Sequence, residues 1–178
     1  MELKAIKDKI PDELFNVLKK EKIETLRPAQ SKSIEKGLLE NKSLLVCTPT
    51  ASGKTLIAEL AALKSILNGN GKVIYIVPLK ALASEKFKDF KKKYSHVAKI
   101  ALSIGDSDSA DSYLVDYDLI ITTSEKLDSL IRHHAPWLSL VSTIIIDEIH
   151  LLNDPGRGPT LEILITILKQ LLKKSQMK

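Results

Sequence analysis

The chain has 178 residues, of which 44% are hydrophobic and 28% are charged, and its formal net charge is +5. This composition is typical of a soluble globular protein and excludes a disordered or low-complexity chain. No apolar run reaches the roughly 18 residues that a membrane span needs, and no signal-peptide core follows the N-terminus, so we expect a soluble, cytoplasmic protein without a membrane partner.

Two short helices are predicted at the beginning of the chain. The first covers Pro11–Lys22, where apolar residues recur at helical spacing, and the second begins near Pro28 and runs to Leu39. Gln30 lies in the second helix. Because a side-chain amide both donates to and accepts from one base edge, Gln30 is a candidate for reading adenine.

The stretch Thr48–Thr55, TPTASGKT, lies between an apolar run, Leu44–Cys47, and an amphipathic one, Leu56–Leu67. The order strand, loop, helix is the context that a phosphate-binding loop requires. We expect the run before the loop to be a buried strand, with its cysteine as a small core residue. The strict pattern begins with glycine, where this chain has threonine.

Within this loop, successive backbone N–H groups and the helix N-terminus would bind phosphate, and Gly53 lets the backbone approach it. Lys54 would reach the β- and γ-phosphates, and the hydroxyl of Thr55 would bind Mg²⁺. The candidate nucleotide-binding residues are Thr50, Ala51, Ser52, Gly53, Lys54 and Thr55, together with Gln30.

Strands and helices alternate in the rest of the chain. Four further strands are predicted near residues 73–77, 100–104, 118–122 and 143–146. Helices are predicted after Pro78, after Ser124 as the capping residue, and from Thr160 to Lys174. This alternation predicts an α/β fold, a parallel doubly wound sheet with helices on both faces. We see no linker, and we expect residues 1–178 to form one domain, with Trp137 as a core or lid residue rather than a platform for base stacking.

Asp147 and Glu148 directly follow the last predicted strand, Thr143–Ile146. Ligands of an open parallel sheet gather at the carboxyl ends of its strands, so this pair can face the same phosphates as the loop. We assign Asp147 to the Mg²⁺ ion and Glu148 to the water that attacks the γ-phosphate. The catalytic residues are therefore Lys54, Asp147 and Glu148.

These motifs together resemble the superfamily 2 helicases, and within them the Ski-like branch that includes the Hjm-type (Holliday junction migration) DNA helicases of archaea. The resemblance covers nearly the whole chain. Gln30 is similar to the family's adenine-reading position, Thr48–Thr55 to motif I, in which the first position is not restricted to glycine, and Asp147–His150 to the DExH box. Three more segments resemble its nucleic-acid motifs: Pro78–Leu82, Gly105-Asp106 and Thr122–Lys126.

The resemblance implies a RecA-like P-loop NTPase domain that uses ATP and Mg²⁺ and tracks along the sugar-phosphate backbone of one strand. Such contacts carry little sequence information and weaken with salt. The residues implied in this track are Pro78, Leu79, Lys80, Gly105, Asp106, Thr122, Thr123 and Lys126. His150, and Arg157 in the segment after the DExH box, are implied to couple the nucleotide to the nucleic acid.

The resemblance also implies single-stranded or branched DNA as the partner, with a role in repair or recombination. The sequence ends before the family's motif III and its second RecA-like domain, so it resembles the N-terminal motor domain of a longer helicase. Because arginine fingers of the kind that the second domain carries contribute about 10³ to 10⁵ in rate, we expect this chain alone to bind nucleotide weakly and to hydrolyse hardly any.

Three other functions remain open. An RNA helicase of the same branch would have the same motifs, and the preference for DNA depends on the Hjm-like wording of the motifs alone. A P-loop kinase or transferase acting on a small molecule would not need Gln30 or the nucleic-acid loops. A non-catalytic binding module would have no reason to keep the nucleotide residues Lys54, Thr55, Asp147 and Glu148.

Overall fold

The computed structural model of the chain describes residues 1–49, 52–105 and 111–176, with side chains up to residue 170. The chain divides into two compact units, Met1–Gly69 and Asn70–Lys178. The first unit is built from helices, whereas the second contains the β-sheet and the helices that cover it.

The first unit contains three α-helices, α1 (Asp12–Lys20), α2 (Pro28–Glu35) and α3 (Lys54–Leu67), and two 3-10 helices, Leu3–Lys9 and Leu38–Glu40. Both α1 and α2 contact α3. The second helix is shorter than the sequence predicted, because Gly37 adopts a left-handed φ of 102° and interrupts it. The apolar side chains that predicted α1, Leu14, Val17 and Leu18, are buried.

Four parallel strands form the sheet of the second unit: β1 (Lys72–Val77), β2 (Ile100–Ser103), β3 (Leu119–Thr123) and β4 (Val141–Ile146). Their order across the sheet is β2-β3-β1-β4. The predicted parallel α/β fold is therefore confirmed. All four strands point the same way, so residues that follow them meet at one edge of the sheet.

Helices cover both faces of this sheet. The helix α4 (Lys80–Tyr94) contacts three strands, and the rings of its Phe90 and of Tyr75 in β1 meet edge to face at 5.5 Å. The helices α5 (Ser124–Arg132) and α6 (Gly158–Gln176) pack together with Ile74, Ile76 and Trp137 into one apolar cluster. Side chains of β1 alternate between the two faces, as the pleat of a strand requires.

The strand predicted at Leu44–Cys47 is wrong. Residues 42–49 have no regular secondary structure, Leu45 is 72% exposed and Cys47 is exposed rather than in the core. A parallel strand exists only through hydrogen bonds to a neighbour. Among the described residues no strand pairs with this run, so its apolar pattern has no ladder to join.

Two further details differ from or agree with the sequence predictions. Thr123, not Ser124, caps α5, because the hydroxyl of Thr123 accepts a hydrogen bond from the backbone N–H of Lys126 at 3.4 Å. Trp137 is fully buried, which confirms its predicted place in the core.

In the described part of the chain, the helices are too short or too polar to cross a bilayer.

Candidate nucleotide and nucleic-acid site

The predicted phosphate loop leads into the N-terminus of α3. Gly53 precedes the helix with a left-handed φ of 87°, and Lys54 is its first residue. The ammonium of Lys54 donates to the carbonyl of Thr48 at 3.2 Å, and the hydroxyls of Thr48 and Ser52 lie 2.6 Å apart. The lysine therefore reaches back to the first residue of the predicted loop. Two predicted loop residues, Thr50 and Ala51, lie outside the described residues.

Gln30 is joined to this loop by its side chain. Its Nε2 donates to the carbonyl of Gly53 at 3.0 Å, and its Oε1 accepts from the backbone N–H of Arg27 at 2.8 Å. A Cβ at Gly53 would lie only 2.3 Å from Nε2 of Gln30. Gly53 is thus required both by its backbone conformation and by the close approach of Gln30, and the second requirement could not be read from the sequence.

Burial of Gln30 does not exhaust its hydrogen-bonding capacity. The residue is 4% exposed, but an amide has two N–H groups and two acceptor lone pairs, and the two bonds above use one of each. One N–H group and one lone pair remain, and the reading of adenine by Gln30 stays a prediction. Thr55 is exposed in the first turn of α3, at the N-terminal end where backbone N–H groups bind anions.

Asp147 and Glu148 lie at the carboxyl end of β4. The backbone N–H of Asp147 donates to the carbonyl of Ile76, which extends the pairing with β1 by one residue. Oδ1 of Asp147 accepts from the N–H of Glu148 at 3.0 Å, and Glu148 has a left-handed φ of 55°. Both residues line one pocket at this end of the strand.

The sequence did not single out the two side chains that contact Oδ2 of Asp147. The hydroxyl of Tyr75 donates to it at 3.2 Å, and the ammonium of Lys86 lies 3.9 Å away. A tyrosine in the otherwise aliphatic run VIYIV was the available signal for Tyr75, because a buried phenol needs a hydrogen-bond partner. Nothing in the sequence pattern distinguished Lys86 from the other lysines of α4.

The residues predicted to couple the two ligands lie near Glu148. Nδ1 of His150 lies 3.1 Å from Oε2 of Glu148, at the beginning of the 3-10 helix Ile149–Asn153. Arg157 lines the same small pocket as Asp147 and Glu148. The loop before α6 is held by Asp154, whose Oδ1 accepts from the backbone N–H groups of Gly156 and Arg157, both at 2.9 Å.

The predicted nucleic-acid residues divide into an exposed and a buried group. Leu79 and Lys80 are exposed where α4 begins, and Pro78 and Gly105 are half-buried. Gly105 has a left-handed φ of 120°, and in the described part of the chain no other atom lies within 4 Å of where a Cβ would be. Asp106 lies outside the described residues. By contrast, Thr122, Thr123 and Lys126 are buried, at 0%, 2% and 4% exposure, and the ammonium of Lys126 is paired with Asp111 at 3.2 Å.

Comparisons with known proteins show the family to which the chain belongs. Residues 27–177 match the DEAD/DEAH box helicase family. The chain is 55% identical to the ATP-dependent DNA helicase Hel308 of Methanocaldococcus jannaschii over 89% of this chain and 14% of that protein. It is 46% identical to Hel308 of Pyrococcus horikoshii over 94% of this chain and 23% of that protein. The chain thus spans less than a quarter of the length of these relatives.

The fold has a close counterpart among solved structures. The crystal structure of DUF1998 helicase MrfA is similar with a TM-score of 0.79 and 26% identity, over 94% of this chain and 28% of that chain. Both kinds of comparison confirm the resemblance to helicases and the RecA-like fold that the motifs implied.

Proposed function

Because the chain belongs to the DEAD/DEAH box helicase family, we propose that it is the ATP-binding motor domain of a longer ATP-dependent DNA helicase. The observation that carries this proposal is the carboxylate pair at the end of β4, in a chain 46% and 55% identical to relatives named ATP-dependent DNA helicases. The remaining residues of the site support the same reading.

The nucleotide half fits ATP by its chemistry. A helix N-terminus, a left-handed glycine that a Cβ would block, and a lysine that reaches back to the first residue of the loop are the parts that bind phosphates. We assign phosphate binding to Ser52, Gly53, Lys54 and Thr55, together with Thr50 and Ala51 of the same loop, and adenine to Gln30.

The second half fits Mg²⁺. Asp147 supplies a carboxylate oxygen that already faces the cationic ammonium of Lys86, and Thr55 supplies a hydroxyl. In the described residues, no three His, Cys, Asp or Glu side chains gather into a cage for a metal. This absence suits Mg²⁺, which usually takes one or two protein ligands and completes its shell with water and phosphate oxygens. When bound, the ion neutralises charge on the phosphates.

Glu148 is the proposed general base. It orients the attacking water and accepts its proton, and its Oε2 lies 3.1 Å from Nδ1 of His150. His150, which contacts Glu148, and Arg157, which lines the same pocket as Glu148, are the proposed link between hydrolysis and nucleic-acid binding.

The nucleic-acid surface is proposed at Pro78, Leu79, Lys80 and Gly105, with Asp106 of the same motif. Thr122, Thr123 and Lys126 belong to the motif but are buried, so their part in binding is indirect. Contacts of this kind bind phosphate and sugar and tolerate any base sequence. The choice of DNA, single-stranded or branched, and a role in repair or recombination follow the naming of the relatives.

We further propose that residues 1–178 act as one N-terminal RecA-like domain together with a second RecA-like domain. The small share of the relatives that this chain covers supports a longer protein. Hydrolysis by the chain alone should be slow, because arginine fingers contribute about 10³ to 10⁵ in rate. An unpaired, exposed cysteine agrees with a reducing compartment, the cytoplasm.

ATP hydrolysis by the full-length protein tests the proposal, measured without nucleic acid and with single-stranded DNA or RNA of matched sequence. We expect strong stimulation by DNA that is lost in Glu148→Gln, while this variant still binds ATP. Stimulation by RNA alone would make the protein an RNA helicase of the same branch. No stimulation by either would overturn the proposal in favour of a small-molecule kinase or transferase.

A further inference from the structure

Contacts of unequal strength hold the carboxylate of Asp147. Its Oδ1 accepts from the backbone N–H of Glu148 at 3.0 Å, and its Oδ2 accepts from the hydroxyl of Tyr75 at 3.2 Å. The ammonium of Lys86 lies 3.9 Å from the same Oδ2. This last distance is too long for a hydrogen bond, so Lys86 acts on the carboxylate through its charge.

The packing of α4 brings Lys86 to this carboxylate. Ala83 and Phe90, three residues before Lys86 and four residues after it, are fully buried. The ring of Phe90 meets that of Tyr75 edge to face, so this face of α4 packs against the sheet. The side chain of Lys86 is 20% exposed and that of Asp147 is 25% exposed, whereas other lysines of α4 are exposed to solvent.

Partial burial makes the charge of Lys86 count at this place. Electrostatic attraction and repulsion at a given distance increase as water is excluded. Without Lys86, the carboxylate of Asp147 would repel the phosphates of a nucleotide until a metal ion neutralised it. With Lys86 still in place, a bound Mg²⁺ ion would meet a second cation at the same carboxylate and be repelled by it.

The contact of Lys86 is also the one that can yield. The N–H group of Glu148 belongs to the backbone, and the hydroxyl of Tyr75 belongs to a buried ring. Lys86 instead carries its charge on a flexible four-carbon stem. Its ammonium can therefore move away from Oδ2 by rotation of the side chain, without a change in the backbone of α4.

We propose that Lys86 is the counter-ion of Asp147 in the metal-free protein and that it leaves this carboxylate when Mg²⁺ binds there. Lys86 is thus a positioning residue with two opposite effects. It neutralises the carboxylate while the metal is absent, and it competes with the metal for that carboxylate. The inference rests on the proposed function of Asp147 as a ligand of Mg²⁺, but the ion pair itself can be tested without metal or nucleotide.

Binding of a fluorescent, non-hydrolysable ATP analogue to the full-length protein tests the competition. In Lys86→Met we expect the Mg²⁺ concentration for half-maximal binding to fall roughly three- to tenfold, because the ion no longer has to displace an ammonium. The affinity measured in EDTA should fall by a similar factor, because the bare carboxylate repels the phosphates. Lys86→Arg keeps the charge and should stay close to the wild type. Lys92→Met removes an exposed charge from the same helix and is the control.

The direction of the change in Lys86→Met decides the competition. A requirement for as much Mg²⁺ as in the wild type would show that the ammonium does not oppose the metal, and this would overturn the inference. A requirement for more Mg²⁺ would show that Lys86 supports the metal-bound state, and this would overturn it as well.

Chemical denaturation in EDTA, without nucleotide, tests the ion pair independently. Lys86→Met, Asp147→Asn and the double variant form a cycle. We expect the loss of stability in the double variant to be smaller than the sum of the two single losses, because each substitution breaks the same pair. Additive losses would overturn the inference, even if Mg²⁺ promotes nucleotide binding in the wild type. Coupled losses, in a protein whose nucleotide binding does not respond to Mg²⁺, would overturn the proposed function of Asp147 instead.

Discussion

The hydroxyl of Tyr75 donates a hydrogen bond to the carboxylate of Asp147, although 72 positions separate them in the chain. They meet because β1 and β4 are neighbours, with Ile76 paired to Ile146. The phenol ring is buried and packs edge to face on Phe90 of α4. A side chain from the core thus orients the carboxylate that we propose for Mg²⁺.

Removal of this hydroxyl should weaken metal binding and leave the fold intact. In Tyr75→Phe the ring stays packed, but Oδ2 of Asp147 loses a donor that orients it. We expect the Mg²⁺ concentration for half-maximal nucleotide binding to rise roughly tenfold, a usual effect of losing a group that orients a metal ligand. Titration of fluorescent ADP with Mg²⁺ measures it. Tyr94→Phe, on the other side of Phe90, is the control and should behave as the wild type. An equal loss of affinity without Mg²⁺ would contradict the prediction.

Gln30 should contribute to both stability and nucleotide binding. Gln30→Glu keeps an acceptor for the N–H of Arg27 but places an oxygen against the carbonyl of Gly53, where Nε2 now donates. We expect the free energy of unfolding to fall by about 1–3 kcal/mol, the usual effect of leaving a buried group unpaired, and the preference for ATP over GTP to decrease. Chemical denaturation and nucleotide competition measure the two effects. Gln170→Glu changes an exposed glutamine in the same way and should leave both as in the wild type.

A methyl group at Gly158 should destabilise the beginning of α6. A Cβ there would lie 2.3 Å from the carbonyl oxygen of Leu152, so backbone must shift to admit it. We expect Gly158→Ala to lower the free energy of unfolding by about 1–3 kcal/mol, as overpacking does. Gly156→Ala is a matched control two residues earlier, where the nearest atom is 3.4 Å away on the side chain of Asp154. Equal denaturation midpoints for the two variants would show that the loop yields without strain.

The buried Lys72 should make the free energy of unfolding increase with pH in the alkaline range. Burial lowers the pKa of Lys72 from its ordinary 10.5, although Asp118 and Asp116 raise it and Lys99 opposes them. Between the lowered folded-state pKa and 10.5, the unfolded chain binds more protons than the folded one, so the free energy of unfolding rises with pH across that window. In the folded chain the ammonium of Lys72 donates to the carbonyls of Val115 and Tyr117, both at 2.6 Å, so its position inside the fold is defined.

The measurement for Lys72 is chemical denaturation of wild type and Lys72→Met from pH 7 to 10.5. We expect the difference in unfolding free energy, wild type minus variant, to increase with pH. Lys92→Met removes an exposed lysine of α4 and is the control for the general effect of charge. A difference that stays constant or shrinks as pH rises would refute the assignment.

The fold of the second unit could be predicted from sequence because its strands are short apolar runs between helical patterns. Pairing decides whether such a run becomes a strand, and pairing is not local. For this reason Val73–Val77 was predicted correctly, whereas the equally apolar Leu44–Cys47 was not. A pattern reports that a run suits a strand and does not report whether a neighbouring strand is there to bond it.

The site shows the same division between local and distant information. The sequence indicated the phosphate loop and the carboxylate pair because each is contiguous. The contacts of Gln30 with Gly53, of Tyr75 with Asp147 and of Lys126 with Asp111 join residues that are distant in the chain, so no motif contained them. The motif predicted Lys126 as a nucleic-acid-binding residue, but its ammonium is buried and therefore not available at the surface.

The left-handed backbone of Glu148 sets stability against function at that position. Such a φ disfavours most side chains by roughly 1–2 kcal/mol, whereas asparagine and glycine tolerate it. Glu148→Asn should therefore raise the thermal midpoint of the chain while abolishing hydrolysis by the full-length protein. Selection for stability alone would not retain this glutamate. A glutamate in a strained conformation is the expected result of selection for ATP turnover.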